Sequence, residues 1–231
     1  MKVLVSKDGK KYYMKGNECH TDKGMINLSD IKDGRVFSNI GKDFIALEAG
    51  FNDLKFKRGP QIVLNKDSGL IIMNTNINRS SRVLEAGSGS GFLALSLARF
   101  VKEVVSYEIK EEHFRICERN VKDFGVKNIK LKLGDINNEK LKGKFDLIVL
   151  DLPEPWKALD NCASVLANGK YLVCYLPTIV QAQDLAKNCS GFYLEQVCEV
   201  IVRDWIVDGM RVRPKNIMLG HTAFLVFLRK I

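Results

Sequence analysis

The spacing of hydrophobic residues divides the chain into a short first part and a longer second part. In the first part, short apolar runs alternate with turn residues such as Asp8-Gly9, which is typical of small strands joined by tight turns. The pattern predicts a small β-rich domain over residues 1–52. Its predicted strands cover residues 1–6, 10–15, 35–38 and 44–47.

The hydrophobic period is lost over residues 52–60, and this segment ends in the breaker Gly59-Pro60. The loss predicts a linker or entry loop, and a second domain over residues 53–231. From residue 67 onward, helical patterns alternate with continuous apolar runs, which indicates a parallel sheet buried on both faces. The predicted helices cover residues 67–73, 92–100, 111–124, 156–166 and 179–188, and the predicted strands cover residues 82–85, 103–108, 129–134, 145–150 and 171–175.

The end of the chain departs from this alternation. Two apolar runs, residues 195–207 and 221–229, follow each other without a helical segment between them, so we expect an antiparallel pair. The predicted fold class is therefore α/β, with a Rossmann-like sheet that has an antiparallel last strand, plus a small N-terminal β domain. A sheet that ends in this way favours the class I methyltransferase version of the fold over a dinucleotide-binding domain.

A glycine-rich turn follows the strand predicted at residues 82–85. The segment Glu85-Ala86-Gly87-Ser88-Gly89-Ser90-Gly91-Phe92 joins an apolar strand to a helix, a setting in which the backbone approaches a nucleotide-like ligand closely. Phe92 stands where the dinucleotide fingerprint has a small residue. Together with the antiparallel end of the sheet, this favours S-adenosylmethionine over a nicotinamide dinucleotide as the cofactor.

Acidic residues end three later predicted strands, at the sheet edge where the glycine turn is expected. Glu108 is placed to accept hydrogen bonds from both hydroxyls of a ribose, which supports an adenosine ligand without choosing between the two cofactors. Asp135 is placed to accept from the adenine amino group, or else to cap a turn. Asp151 precedes the stiff segment Leu152-Pro153-Glu154-Pro155, whose fixed acceptors suit methyl transfer to a nitrogen of a base.

The chain carries 36 lysines and arginines against 27 aspartates and glutamates, a formal net charge of +9 that favours a polyanionic partner such as nucleic acid. No apolar run is long enough for a signal-peptide core or a membrane span, so we expect a soluble, cytoplasmic protein without a membrane partner. The six cysteines form no CxxC pair and the three histidines are far apart, so we expect free thiols and no metal site.

In these motifs the chain resembles the tRNA (adenine-N1)-methyltransferase family, which modifies adenosine 58 of the T-loop and, in some archaeal members, also adenosine 57. The similarity runs from about residue 56 to the end. It implies Asp151 as the catalytic carboxylate, which would accept a hydrogen bond from the exocyclic amine of an extruded adenine. The matching motifs are Gln61-Ile62, Lys66-Asp67, residues 83–91, Ser106-Tyr107-Glu108, Asp151-Leu152, Glu154-Pro155-Trp156, Tyr175-Leu176-Pro177, Gln181, Arg203-Asp204-Trp205 and residues 220–225.

The resemblance also implies partners and a cofactor site: tRNA as the substrate, a homotetramer as the assembly and S-adenosylmethionine as the cofactor. One departure is that some members have Tyr-Pro before the Lys-Asp pair, where this chain has Leu64-Asn65, so a tyrosine that would stack on the target base is absent. The implied cofactor-binding residues are Gln61, Glu85, Gly87, Ser88, Gly89, Ser90, Gly91, Phe92, Leu93, Glu108, His113, Asp135, Ile136 and Asp151.

Several interpretations stay open at this level. His221 and Thr222 are expected in packing or subunit contacts rather than in catalysis, while Lys55, Lys57 and Arg58 are candidates for RNA contact because they flank the entry segment. The alternative functions are a methyltransferase that acts on protein or a small molecule, and a non-catalytic RNA-binding subunit. The second alternative gives no reason for an intact glycine turn.

Overall fold

The computed structural model describes residues 1–53, 56–57, 59 and 62–231. The chain divides into two compact units, Met1–Phe56 and Lys57–Ile231. The first unit has one hydrophobic core and the second has a core on each face of a large sheet. No helix within the described ranges is long and apolar enough to cross a lipid bilayer.

The first unit is a small β structure, as predicted. Four of its strands form an antiparallel sheet in the order β2-β1-β6-β5, and Leu4, Met14 and Phe44 lie in the core beneath it. The β3–β4 hairpin was not predicted, because it contributes little apolar sequence beyond the buried Cys19 and Ile26. The strands are β1 (Lys2–Ser6), β2 (Lys11–Met14), β3 (Glu18–Thr21), β4 (Gly24–Asn27), β5 (Arg35–Phe37) and β6 (Asp43–Glu48).

The second unit is built on a seven-stranded sheet in the order β12-β15-β11-β10-β7-β8-β9. Its elements are α1 (Asn65–Asn74), β7 (Arg82–Ala86), α2 (Phe92–Ala98), β8 (Glu103–Glu108), α3 (Glu111–Asp123), β9 (Ile129–Leu133), β10 (Phe145–Leu150), α4 (Leu159–Val165), β11 (Leu166–Leu176), α5 (Ile179–Lys187), β12 (Phe192–Cys198), β13 (Trp205–Asp208), β14 (Arg211–Pro214) and β15 (Phe224–Lys230). Strands β7 to β11 pair in parallel, whereas β15 runs antiparallel to both β11 and β12. The predicted Rossmann-like sheet with an antiparallel last strand is therefore confirmed.

The continuous apolar strands reflect burial of both sheet faces. In β10, Leu147 and Val149 pack on one face and Ile148 and Leu150 on the other, and all four are fully buried. Neighbouring residues of a strand point to opposite faces, so a strand covered on both sides needs apolar residues at every position. This burial holds the carboxyl ends of β7, β8, β10 and β11 side by side at one edge.

Two predictions about elements were wrong. Residues 195–207 do not form one strand, because β12 ends at Cys198 and β13 pairs with β14 in a separate two-stranded sheet. The polar pair Arg203-Asp204 interrupts the run, and Asp204 binds Lys215 at the open end of that hairpin. The helix predicted at residues 156–166 is a 3₁₀ turn, Pro155–Ala158, followed by the short helix α4, with Leu166 already in strand β11.

Candidate active site

A cavity of about 730 Å³ opens at the carboxyl ends of the central strands. In a parallel α/β sheet this edge is where ligands bind, because the loops that leave neighbouring strands diverge there. The wall contains backbone and side chains from the exits of β7, β8, β9, β10 and β11. The lining residues are Ala86, Gly87, Gly89, Tyr107, Glu108, Ile109, Lys110, His113, Gly134, Asp135, Ile136, Asn137, Asp151, Leu152, Pro153, Glu154, Lys157, Tyr175, Pro177 and Thr222.

The glycine turn is shaped by two close approaches. Gly87 has a φ of +88°, and a Cβ atom added there would collide with the carbonyl oxygen of Asp151. Gly91 has a φ of +83°, and a Cβ atom there would collide with the sulfur of Cys117. Side chains are excluded at both positions by backbone conformation and by space. The first approach brings the turn into contact with the segment that carries Asp151.

Glu108 ends strand β8 and binds the glycine turn on the side opposite Asp151. Its Oε2 accepts a hydrogen bond from the backbone N–H of Gly89 at 2.8 Å, and its Oε1 accepts from Lys110 N–H at 2.9 Å. A carboxylate has about four acceptor positions, so each oxygen keeps one free for a ligand hydroxyl. His113 lies farther out, with its Nδ1 3.9 Å from Glu108 Oε1.

Glu85 lies beneath the glycine turn rather than in the cavity wall. Its carboxyl group is buried, and Oε2 accepts a hydrogen bond from the Ser106 hydroxyl at 2.6 Å. Ser106 in turn bonds to Ser88 of the turn. Burial is the main cause that raises the pKa of Glu85 to about 8, so the group is largely neutral at pH 7. Glu85 therefore supports the turn from below through a serine pair.

Asp135 both lines the cavity and caps the turn after β9. Its Oδ1 accepts from the backbone N–H and the side-chain amide of Asn137, and its Oδ2 accepts from the side chain of Asn138. The two interpretations left open by the sequence are thus compatible in geometry. The cap fixes the carboxylate at the cavity wall, where Ile136 supplies apolar surface beside it.

Asp151 is the first residue after β10, and its backbone N–H donates to the Ala86 carbonyl at 2.9 Å. Burial, followed by the charge of Glu108, raises the pKa of the Asp151 carboxyl to about 7. The loop that follows is tied at Pro153, whose carbonyl accepts a hydrogen bond from Gln181 Nε2 at 3.0 Å. The same Gln181 completes the capping box of α5 with Thr178, so one amide joins two exit loops.

The structure distributes the predicted site residues over three places. Gln61, together with the RNA-contact candidates Lys55 and Arg58, lies outside the described residues. Glu85, Ser88, Ser90, Gly91, Phe92 and Leu93 lie in or behind the glycine turn and do not line the cavity. Those that line it are Gly87, Gly89, Glu108, His113, Asp135, Ile136 and Asp151.

Some lining residues were missed as site residues. Tyr175, Pro177 and Thr222 stand in the cavity wall, although Thr222 was expected in packing or subunit contacts. All three belong to motifs that carry the family resemblance, and this was the available signal. His221 is not in the wall; its ring bonds to Glu199 and to the Pro177 carbonyl and so connects two loops.

The cavity fits an adenosine ligand that carries a positive charge. Glu108 offers paired acceptors, the glycine turn offers backbone without side chains, and Asp151 adds a second acidic group. With β15 reversed in the sheet, these features define a class I S-adenosylmethionine-dependent methyltransferase. A family model described as the GCD14 subunit of the tRNA methyltransferase complex matches residues 52–223. The chain belongs to this family.

Similar proteins extend the match to nearly the whole chain. The tRNA (adenine(58)-N(1))-methyltransferase TrmI of Thermus thermophilus is 35% identical over 99% of this chain and 96% of its own length. Two crystal structures share the fold at 29% identity and cover 100% of this chain. They are a SAM-dependent O-methyltransferase from Thermotoga maritima, with a TM-score of 0.89 and 92% of its length covered, and the tRNA (m1A58) methyltransferase TrmI from Aquifex aeolicus, with 0.85 and 96%.

The raised pKa of Glu85 predicts a specific dependence of stability on pH. Between its ordinary value of 4.5 and about 8, the folded protein keeps a proton that the unfolded chain releases. The free energy of unfolding should therefore fall as pH rises through this window, by up to about 1.4 kcal/mol per pH unit from this group. Glu85→Gln, which keeps an acceptor for Ser106, should reduce the slope in urea denaturation at pH 5.5, 6.5 and 7.5.

The control for this experiment is Glu118→Gln on the exposed face of α3, which should leave the slope unchanged. Asp151 has a raised pKa as well, so part of the slope should remain in the Glu85 variant. An unaltered slope in Glu85→Gln would contradict a neutral buried Glu85.

Proposed function

We propose that this chain methylates N1 of adenosine 58 in the T-loop of tRNA, and adenosine 57 where the substrate has one, with S-adenosylmethionine as the methyl donor. The observation that carries the proposal is Asp151. Its backbone carbonyl lies against Gly87 of the glycine turn, and its carboxyl group lines the cavity, on a loop stiffened by Pro153 and held by Gln181, in a chain of the tRNA methyltransferase family.

The residues that would hold the cofactor are Glu108 at the ribose hydroxyls, Asp135 and Ile136 at the adenine, and the turn at Gly87 and Gly89. Each oxygen of Glu108 is already oriented by a backbone N–H, so the carboxylate needs little reorganisation to accept from a diol. When bound, S-adenosylmethionine supplies a methyl group on a positively charged sulfur, which is already a good leaving group.

The role of Asp151 follows from the chemistry of adenine. N1 carries an in-plane lone pair but is a weak nucleophile, and it lies on the Watson-Crick edge, so the base must first be extruded at a cost of roughly a few kcal/mol. The Asp151 carboxylate accepts a hydrogen bond from the neighbouring exocyclic amine. This bond pushes electron density toward N1 and orients the lone pair toward the methyl group.

The test is incubation of the purified chain with labelled S-adenosylmethionine and an unmodified tRNA transcript, followed by nucleoside analysis for 1-methyladenosine and primer extension across positions 57 and 58. Asp151→Ala should lose turnover by about a hundredfold or more, because the amine loses its acceptor. Calorimetry should show cofactor affinity within about threefold of the wild type. Asp160→Ala, exposed on α4, is the matched control.

The alternatives give different results in the same assay. Label in protein or in a small molecule, with none in tRNA, supports another substrate class. Binding of tRNA without any label transfer supports a non-catalytic subunit. Turnover of Asp151→Ala at the wild-type rate contradicts the assigned role of this residue.

Acid inactivation should follow the ionisation of Asp151. The carboxylate is the strong acceptor for the amine, and protonation turns it into a weaker acceptor with a competing O–H donor. Because the pKa of Asp151 is raised to about 7, kcat/KM for tRNA should fall as pH drops through 7, approaching tenfold per pH unit. We expect Asp151→Asn to keep a low kcat/KM that does not fall at acid pH, because an amide oxygen accepts at every pH. The measurement is a profile from pH 5.5 to 8.5, and a flat wild-type profile would exclude Asp151 as the titrating group.

RNA binding and a cytoplasmic location are parts of the same proposal. The net charge of +9 favours a polyanionic substrate, and Lys57 is the described member of the three entry-segment cations. The proposed tRNA substrate supports the proposed cytoplasmic location.

We also propose a homotetramer, supported by apolar surface on the second unit. In the β13–β14 hairpin, Val207 and Val212 are directly opposite on one face and are 76% and 60% exposed. Trp205 lies on the same face at 56% exposure, and Tyr193 of the edge strand β12 is 60% exposed. Exposed apolar side chains that share one strand face, as in this hairpin, are typical of subunit contacts.

Light scattering after gel filtration should give four times the 26.1 kDa mass of one chain. The double substitution Val207→Glu and Val212→Glu should lower this mass, because charges would be buried without partners in the contact. Met73→Glu is the control, at a 76% exposed methionine on α1. A wild-type protein that elutes as a monomer at micromolar concentration would overturn the proposal.

A further inference from the structure

A buried polar cluster lies behind the cavity wall, at the end where Asp151 stands. It joins Lys66 and Asp67 of α1 to Tyr175 of β11 and Thr222, which precedes β15. Asp67 is completely buried and the Lys66 side chain is 11% exposed, whereas Tyr175 and Thr222 line the cavity. Three motifs from distant parts of the sequence thus meet at one wall, and the proposed chemistry gives Lys66 and Asp67 no role.

The hydrogen bonds of Lys66 are fully assigned by geometry. Its ammonium group lies 2.8 Å from Asp67 Oδ1, 2.6 Å from the Thr222 hydroxyl oxygen and 2.7 Å from the Val200 carbonyl oxygen. An ammonium group has three hydrogens and no acceptor, so these three bonds use all of its hydrogens. The Thr222 oxygen must therefore be an acceptor toward Lys66.

The hydroxyl hydrogens of Thr222 and Tyr175 have acceptors within the cluster, first of all Asp67. Thr222 Oγ1 lies 2.9 Å from Asp67 Oδ2, and the Tyr175 hydroxyl oxygen lies 3.4 Å from the same atom. Burial, followed by the charge of Asp67, raises the pKa of Tyr175 above its usual value, so its hydroxyl keeps the hydrogen. Each hydroxyl has one hydrogen, and the Asp67 carboxylate together with the hydrogen bond between Tyr175 and Thr222 offers both hydrogens acceptors inside the cluster, away from the cavity.

A buried ion pair is costly to desolvate and gives little net stability, so packing alone is a weak reason for one in a cavity wall. We propose that Lys66 and Asp67 are positioning residues that hold the hydroxyl hydrogens of Tyr175 and Thr222 away from the cavity, so that this end of it presents acceptors and no hydroxyl donor. This inference rests on the proposed methylation of adenine N1.

The chemistry explains why such a wall is useful. The N1 lone pair forms the new bond to the methyl carbon, so a hydroxyl that donated to N1 would occupy the electrons the reaction needs. Acceptors at the same place suit the exocyclic amine, which has two hydrogens. The cluster therefore favours adenine bound with its N1 lone pair free.

The test replaces the ion pair with apolar side chains of similar size, Lys66→Met with Asp67→Leu, an exchange that buried ion pairs often tolerate. The freed hydroxyls can then turn into the cavity, and we expect kcat on the tRNA transcript to fall about tenfold, with cofactor affinity by calorimetry within about threefold. Adding Tyr175→Phe and Thr222→Val in this background removes the donors. At least a fivefold recovery of kcat is expected.

If Lys66 and Asp67 had only a structural role, kcat should be lower in the quadruple variant than in the double variant, since four substitutions disturb packing more than two. If the double variant does not fold, two other variants replace it. One is Asp67→Asn alone, and the other combines Asp67→Asn with Tyr175→Phe. The asparagine keeps the shape of the side chain but adds an amide donor that turns the tyrosine hydrogen away. Here too, kcat should fall in the first variant and recover in the second.

The matched control is the exposed ion pair of α5, changed by Asp184→Leu with Lys187→Met, which should leave kcat unaltered. Wild-type kcat in the variant without the buried pair, or no recovery when the hydroxyls are removed, overturns the inference while leaving the proposed function intact. If the wild-type protein forms no 1-methyladenosine, the proposed function itself fails.

Discussion

The contact between the Gly87 backbone and the Asp151 carbonyl is the constraint on which the site depends. Strands β7 and β10 are neighbours in the sheet, so their exit segments start side by side, and the absence of a side chain at Gly87 lets them touch. The contact places the glycine turn next to Asp151. Glu108 orients the turn from the opposite side, and Gln181 fixes the loop after Asp151. The sheet thus sets the position of each group before any ligand is bound.

The site brings three acidic groups close together, two of them buried. Glu85, Glu108 and Asp151 lie close enough that the charge of Glu108 raises the pKa of each of the other two. An apo cavity of this kind is electrostatically unfavourable, and it becomes favourable when a positively charged ligand enters. A sulfonium cofactor would meet this condition, whereas its product without the charge would not. The arrangement therefore favours release of the product after methyl transfer.

The sequence predicted what local pattern and chain order determine. The apolar strands predicted the sheet. The glycine turn and the acidic strand ends predicted that Glu108, Asp135 and Asp151 lie at one edge of it. The pattern could not locate Tyr175 and Thr222 in the wall, because their role depends on pairing between β11 and β15, which lie far apart in the sequence. It also could not separate β12 from β13, since exposed apolar residues continue the hydrophobic run beyond the end of the strand.

The position of β15 has a consequence for the order of folding. In the described part of the chain, β12 has no neighbour in the sheet except β15, which comes later in the sequence. Strand β12 therefore joins the sheet only through β15, although β12 is made first. Tyr193 on this exposed edge takes its place in the sheet only together with β15. In the proposed homotetramer, the part of the contact that Tyr193 contributes would therefore be present only in molecules whose strand β15 has already folded.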